Sequence, residues 1–190
     1  MARIDPKRAA VLVMDYQKDI VAGYSNDPAL IERAAGVLAT ARRASIPIVY
    51  VTIAFREGYP EIGPRSTFQQ IKGSGRFILG SDGAMVHPGV APKRGDVVVV
   101  KKRVSGFAGS DLDLVLRNMG RDQLVLMGIA TSGVVLSTIR LAYDMDYSQV
   151  VVSDCCSDRD EEVHRVLMTK VFPRQADVIK AEEFAASIKA

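Results

Sequence analysis

Short uninterrupted apolar runs, alternating with segments of helical spacing, constrain this chain more than any other feature. Ala9–Met14, Ile48–Ile53, Val97–Val100, Leu124–Met127 and Val150–Val152 are too short for helices and lack the polar alternation of a half-exposed strand. Such runs suit strands buried on both faces, which belong to parallel sheets covered by helices. Between them, apolar residues recur at helical spacing. Leu30, Ile31, Ala34, Val37, Leu38 and Ala41 follow an Asp27–Pro28 helix start. Leu112, Val115, Leu116 and Met119 follow a cap at Ser110 or Asp111 and stop at Gly120. Val135, Leu136, Ile139, Ala142 and Tyr143 mark a helix from about Ser132 to Asp146, and Val163, Val166, Leu167 and Val171 follow a cap at Asp158. Ala176–Ile179 reads as a short last strand and Ala181–Lys189 as a last helix. The expectation is a single α/β domain over residues 1–190, three layers deep (α/β/α), with a mainly parallel six-stranded sheet and right-handed connections.

From Phe55 to Lys93 the alternation stops and glycine and proline punctuate the chain. A loop of this length is uncommon without a function, so it reads as a lid, an oligomer contact or a surface insertion. Apolar residues make up 48% and charged residues 25%, a globular rather than a disordered composition. The net charge of +3 is too small and dispersed for a nucleic-acid partner. No uncharged run reaches the roughly 18 residues of a membrane span, and Met1–Arg8 has no signal-peptide core. Cys155 and Cys156 are adjacent, a poor arrangement for a disulfide, which favours a reducing, cytoplasmic setting.

The polar residues at the strand ends are Asp15, Lys101, Thr131 and Asp154. A parallel sheet collects such residues at one rim. A carboxylate beside a lysine is either a tunable acid/base pair or a structural ion pair, since burial raises the carboxylate pKa and the ammonium lowers it. Arg56, Tyr59 and Glu61 follow the second strand and either bind an anionic substrate or pack the loop. His87 and His164 lack metal-ligand spacing, and no metal or other cofactor is expected. Asp158–Glu162 reads as an acidic first helical turn.

Three segments carry a resemblance. Asp15-Tyr16-Gln17-Lys18-Asp19 resembles the Asp-x-Gln-x-Asp opening of the isochorismatase-like superfamily, which includes cysteine hydrolases such as nicotinamidases and N-carbamoylsarcosine amidohydrolases. Lys101 to Leu112 is similar to its Lys-x-x-x-Ser-x-Phe-x-Gly-(Ser/Thr)-x-Leu segment, and Gly128 to Val135 to its Gly-x-x-Thr-x-x-Cys-Val nucleophile turn. The resemblance implies a Rossmann-like fold, Asp15 as general acid/base, Lys101 holding its charge and the substrate, and Gln17 and Phe107 lining the pocket. It also implies a cis backbone at Ala130–Thr131 offering N–H groups to an oxyanion, and a homo-oligomer, dimer or tetramer.

The chain departs from the pattern at the centre, where Val134 stands in place of the nucleophilic cysteine. Valine has neither a nucleophile nor a proton to give, so a thioester at residue 134 is excluded. Cys155 and Cys156, placed just beyond the fifth strand, are either relocated nucleophiles or buried bystanders. The resemblance leaves a hydrolase that works on a small, anionic substrate by acid/base chemistry. True isochorismatases lack the cysteine and cleave a vinyl ether with water, although with glycine at this position. The alternatives are a retired scaffold that binds a small molecule and a purely structural role in an oligomer.

Overall fold

The computed structural model describes residues 2–189. Six strands, β1 (Ala9–Met14), β2 (Ile48–Ile53), β3 (Val97–Lys101), β4 (Gln123–Ile129), β5 (Ser148–Ser157) and β6 (Asp177–Ile179), form one sheet in the order β3-β2-β1-β4-β5-β6. Every pairing is parallel. The expected sheet was mainly parallel; here it is parallel throughout. All six residues of β1 and of β2 are buried, as their unbroken apolar runs require.

Six helices complete the layers: α1 (Lys18–Tyr24), α2 (Leu30–Arg43), α3 (Leu112–Asn118), α4 (Leu136–Asp144), α5 (Glu161–Val166) and α6 (Ala181–Ser187). The sequence reading lacked α1, because seven residues with one buried side chain, Ile20, carry too little periodicity. Helix α2 begins at Leu30, later than the Asp27–Pro28 signal, while the Asp27 carboxylate accepts the Ala29 N–H at 2.9 Å. Helix α5 is capped by Asp160, not Asp158; its carboxylate accepts from Glu162 and Val163 at 2.9 and 3.0 Å. Strand β5 runs past its apolar run because of an irregularity. Between Leu126 and Gly128 of β4 its partner advances from Val151 to Cys156. Cys155 and Cys156 therefore lie inside β5 rather than beyond it.

The chain runs β1–β2–β3 to one side and β4–β5–β6 to the other, so the order reverses between β1 and β4. The crevice outside the carboxyl ends of such a strand pair is where ligands bind in open α/β sheets. Register keeps these ends level: Met14 faces both Val51 and Gly128, and Ile53 faces Lys101. A Cβ on Gly128 would stand 3.0 Å from the Met14 Cβ and 3.1 Å from its carbonyl oxygen, so a bare backbone suits this contact.

The segment between β2 and β3 folds back over this rim. Phe55 donates to Phe77 at 2.8 Å, Leu79 to Phe55 at 2.9 Å, and His87 to Tyr16 at 2.8 Å, all between backbone groups. Gln17 ties the layers together. Its side-chain amide accepts the Ile53 N–H at 2.8 Å and donates to the Ile53 and Ala84 carbonyls at 2.9 and 2.8 Å. Gln17→Leu leaves these buried backbone groups unpaired and is expected to cost on the order of 3 kcal/mol, read as a lower urea midpoint with an unchanged m-value.

Candidate active site

Asp15 follows β1 with a left-handed backbone, φ 57°, an uncommon conformation for a residue with a Cβ. Its N–H still bonds the Val51 carbonyl at 2.8 Å, so the turn is anchored to β2. Lys101 ends β3, two strands away. That separation is about 9–10 Å at the usual strand spacing, and the long lysine stem covers most of it. The Lys101 Nζ lies 2.9 Å from Asp15 Oδ2 and donates to the Arg103 carbonyl at 3.1 Å. Both residues are almost fully buried, with 5% of Asp15 and 1% of Lys101 exposed. Asp15 Oδ1 has no protein partner among the described residues. Desolvation pushes the Asp15 carboxyl above its usual range, and the Lys101 ammonium only partly pulls it back. The result is a buried acid whose conjugate base already has a cation beside it.

The pair opens onto a cavity of about 470 Å³. Ile129, Ala130, Gly133 and Val134 form its β4 wall, and Ile20 and Tyr24 of α1 stand at another side. The β2–β3 segment supplies Phe68, Ile71, Arg76 and Phe77, which makes it a cavity wall rather than a surface insertion. Arg159, beyond β5, completes the charged lining.

After β4 the chain makes one wide turn, Thr131–Val135, before entering α4. Gly133 and Val135 donate to the Ala130 carbonyl at 3.1 and 3.3 Å. The Ser132 N–H donates to Asp158 Oδ2 at 2.7 Å, which explains why Asp158 does not cap α5. The N–H groups of Ala130 and Thr131 have no acceptor among the described residues. The cis bond is Ile129–Ala130, one residue before the Ala130–Thr131 position expected from the resemblance. Ala130 and Val134 line the cavity, whereas Thr131 is fully buried beneath it. The Thr131 Oγ1 lies 2.8 Å from His164 Nδ1.

The structure thus brings Asp15, Lys101, Ala130 and Val134 to one cavity and leaves Thr131, Gln17, Phe107, Arg56 and Tyr59 outside its lining. Gln17 spends its amide on Ile53 and Ala84, as above. Phe107 packs on Tyr147, ring centroids 5.6 Å apart. Arg56 is exposed and paired with Glu61 at 2.7 Å, and the buried Tyr59 donates its hydroxyl to the Arg76 carbonyl at 2.9 Å. Two further cations, Arg76 and Arg159, line the cavity, and no sequence pattern marks either. Arg76 sits in a segment without periodicity, and Arg159 follows a strand longer than its apolar run.

The two cysteines are buried and absent from the cavity lining. Burial pushes both thiols up, Cys156 to about 12 and Cys155 further, the opposite of an activated nucleophile. Among the described residues no group of three or more His, Cys, Asp or Glu side chains is placed to hold a metal.

This arrangement of fold and rim belongs to a known class. Residues 9–183 match the Isochorismatase domain, so the chain belongs to the isochorismatase family of hydrolases. It is 32% identical over 186 residues to the isochorismatase family protein YwoC of Bacillus subtilis, covering 98% of this chain and 97% of that one. It is 30% identical over 174 residues to the ureidoacrylate amidohydrolase RutB of Caulobacter vibrioides, covering 80% of this chain and 77% of that one. Among solved structures, an isochorismatase family protein from Burkholderia thailandensis superposes with a TM-score of 0.87 at 27% identity, over 98% of each chain.

Val134 lines the same cavity as Lys101, in the turn that leads into α4. A thiol introduced there is expected to ionise readily. In Val134→Cys at neutral pH, iodoacetamide should label residue 134 at least about tenfold faster than Cys155 or Cys156, as read by peptide mass spectrometry; equal slow labelling would show that residue 134 is shielded.

Proposed function

We propose that this protein hydrolyses a small, anionic substrate by general acid catalysis from Asp15, assisted by Lys101, with water as the attacking group and no covalent intermediate. The buried Asp15–Lys101 contact at 2.9 Å, facing the cavity, carries this reading. Burial lets Asp15 hold a proton at a pH where an exposed carboxyl has lost it, and the adjacent ammonium stabilises the carboxylate left after transfer.

A vinyl ether suits this equipment. Asp15 gives its proton to the terminal vinyl carbon, and positive charge develops on the ether-bearing carbon. Water adds there and returns a proton to Asp15. The resulting hemiketal splits into a ketone and an alcohol, its hydroxyl proton passing to the departing oxygen. The unpaired Ala130 N–H, at the cavity wall, is available to the departing oxygen as the hemiketal splits. None of these steps uses a thiol, which agrees with valine at residue 134 and with cysteines buried away from the cavity.

A second reading rests on the same valine. The side chain of Val134 occupies cavity space next to the acid, and a family member without its nucleophile can persist as a small-molecule binder. Turnover separates the two. With isochorismate or a related vinyl ether, Asp15→Asn should lower kcat by at least about 10²-fold while keeping a native circular dichroism spectrum. Iodoacetamide should leave wild-type activity intact. Failure of a panel of vinyl ethers and amides to turn over, while a ligand still raises Tm, would favour the binder.

The acid must be protonated to act, so kcat/KM should fall as pH rises through the Asp15 pKa. The midpoint should lie above the roughly 3.9 of a free aspartate, because burial dominates the shift. A profile that rises with pH through this limb would assign Asp15 the role of base instead.

A further inference from the structure

We propose that Arg159 is a carboxylate subsite of this cavity, taking an acid whose body packs on the apolar wall. The inference rests on the cavity being the substrate site.

Four charged side chains line the cavity: Asp15, Lys101, Arg76 and Arg159. Asp15 and Lys101 contact each other at 2.9 Å. The Arg76 Nε lies 3.8 Å from the Asp19 carboxylate. Arg159 pairs with no carboxylate among the described residues, so it is a lining cation open to an anionic ligand.

The guanidinium of Arg159 is also held in place before any ligand arrives. Its Nε donates to the Gly23 carbonyl at 2.8 Å, and its plane lies over the Tyr24 ring, 4.0 Å from the centroid. Both tethers come from the C-terminal end of α1. They use Nε and one face and leave both terminal nitrogens, the fork that matches a carboxylate. A group fixed beforehand loses less entropy on binding. Arg76 is held similarly, over the Phe77 ring at 5.0 Å, and Phe77 itself takes a left-handed φ of 56°. Its ring is 9% exposed and forms part of the apolar wall with Ile20, Phe68, Ile71, Val104 and Val134. A fixed cation beside this apolar wall suits a carboxylate whose body packs on that wall. The other end of such a ligand lies toward Asp15.

Calorimetric titration with benzoate and with benzamide, its neutral isostere, tests this. Wild-type protein should bind benzoate at least about tenfold more tightly than benzamide. Arg159→Gln should lose about tenfold in benzoate affinity and nothing in benzamide affinity, with Arg159→Lys between. Arg56→Gln removes an equal charge outside the cavity and should leave both unchanged. No benzoate binding at millimolar concentration, equal affinity for the two probes, unchanged benzoate affinity in Arg159→Gln, or preferential displacement by inorganic phosphate would each overturn the assignment. Asp15→Asn should still bind benzoate. If benzoate binds wild-type protein through Arg159 and no substrate is turned over, the subsite stands and the hydrolase reading falls.

Discussion

The site depends on one desolvated contact, the ammonium of Lys101 against the carboxylate of Asp15. Removing one partner of such a pair typically costs 3–5 kcal/mol, because the other charge stays buried and alone. The pair also constrains the architecture. Lys101 starts from the edge strand and must pass the level of β2 to reach the end of β1. That reach works only because β1, β2 and β3 end in register, with Met14 opposite Val51 and Ile53 opposite Lys101. A one-residue slip of β3 would turn Lys101 to the other face of the sheet. The same contact sets the balance at Asp15: burial raises its pKa, and the neighbouring cation opposes the rise.

Around this contact the rim is built by different means on its two sides. On the β4 side the backbone does the work. Gly128 permits a close approach to Met14, and the Thr131–Val135 turn folds its own N–H groups onto Ala130. Asp158 and His164 reach that turn from beyond β5. On the β2 side, side chains and an irregular segment do it. Gln17 imitates a strand partner for Ile53, and paired backbone bonds between Phe55, Phe77 and Leu79 bring the segment back over the cavity. The first side is shaped by main-chain contacts; the second supplies apolar walls and cations.

The relation to RutB sharpens the question of chemistry rather than closing it. Family membership is secure from the match over residues 9–183, and one relative is an amidohydrolase. Yet the valine at residue 134 has no electron pair for a covalent step, and the chain's only thiols are sealed into β5 with raised pKa values. A covalent step through the side chain of residue 134 is therefore closed to this chain.

The apolar runs were enough to place the strands, because strands buried on both faces leave a continuous signature that needs no partner to be read. The strand-end positions of Asp15 and Lys101 followed from the same runs, whereas residue 134 was singled out by the resemblance of Gly128–Val135 to the family's nucleophile turn. What the sequence left open were features set by contacts between distant segments. Helix α1 is too short to show a period. The end of β5 depends on an irregularity against β4. Gln17 reads as a pocket residue until Ile53 and Ala84 are seen to occupy its amide. Arg159 becomes a cavity residue only when Gly23 and Tyr24, 136 and 135 positions earlier, hold its guanidinium at the rim. Local pattern therefore determined the layers and the strand-end position of Asp15, while tertiary structure decided which residues line the cavity, because a pocket wall is made by residues that share space rather than sequence.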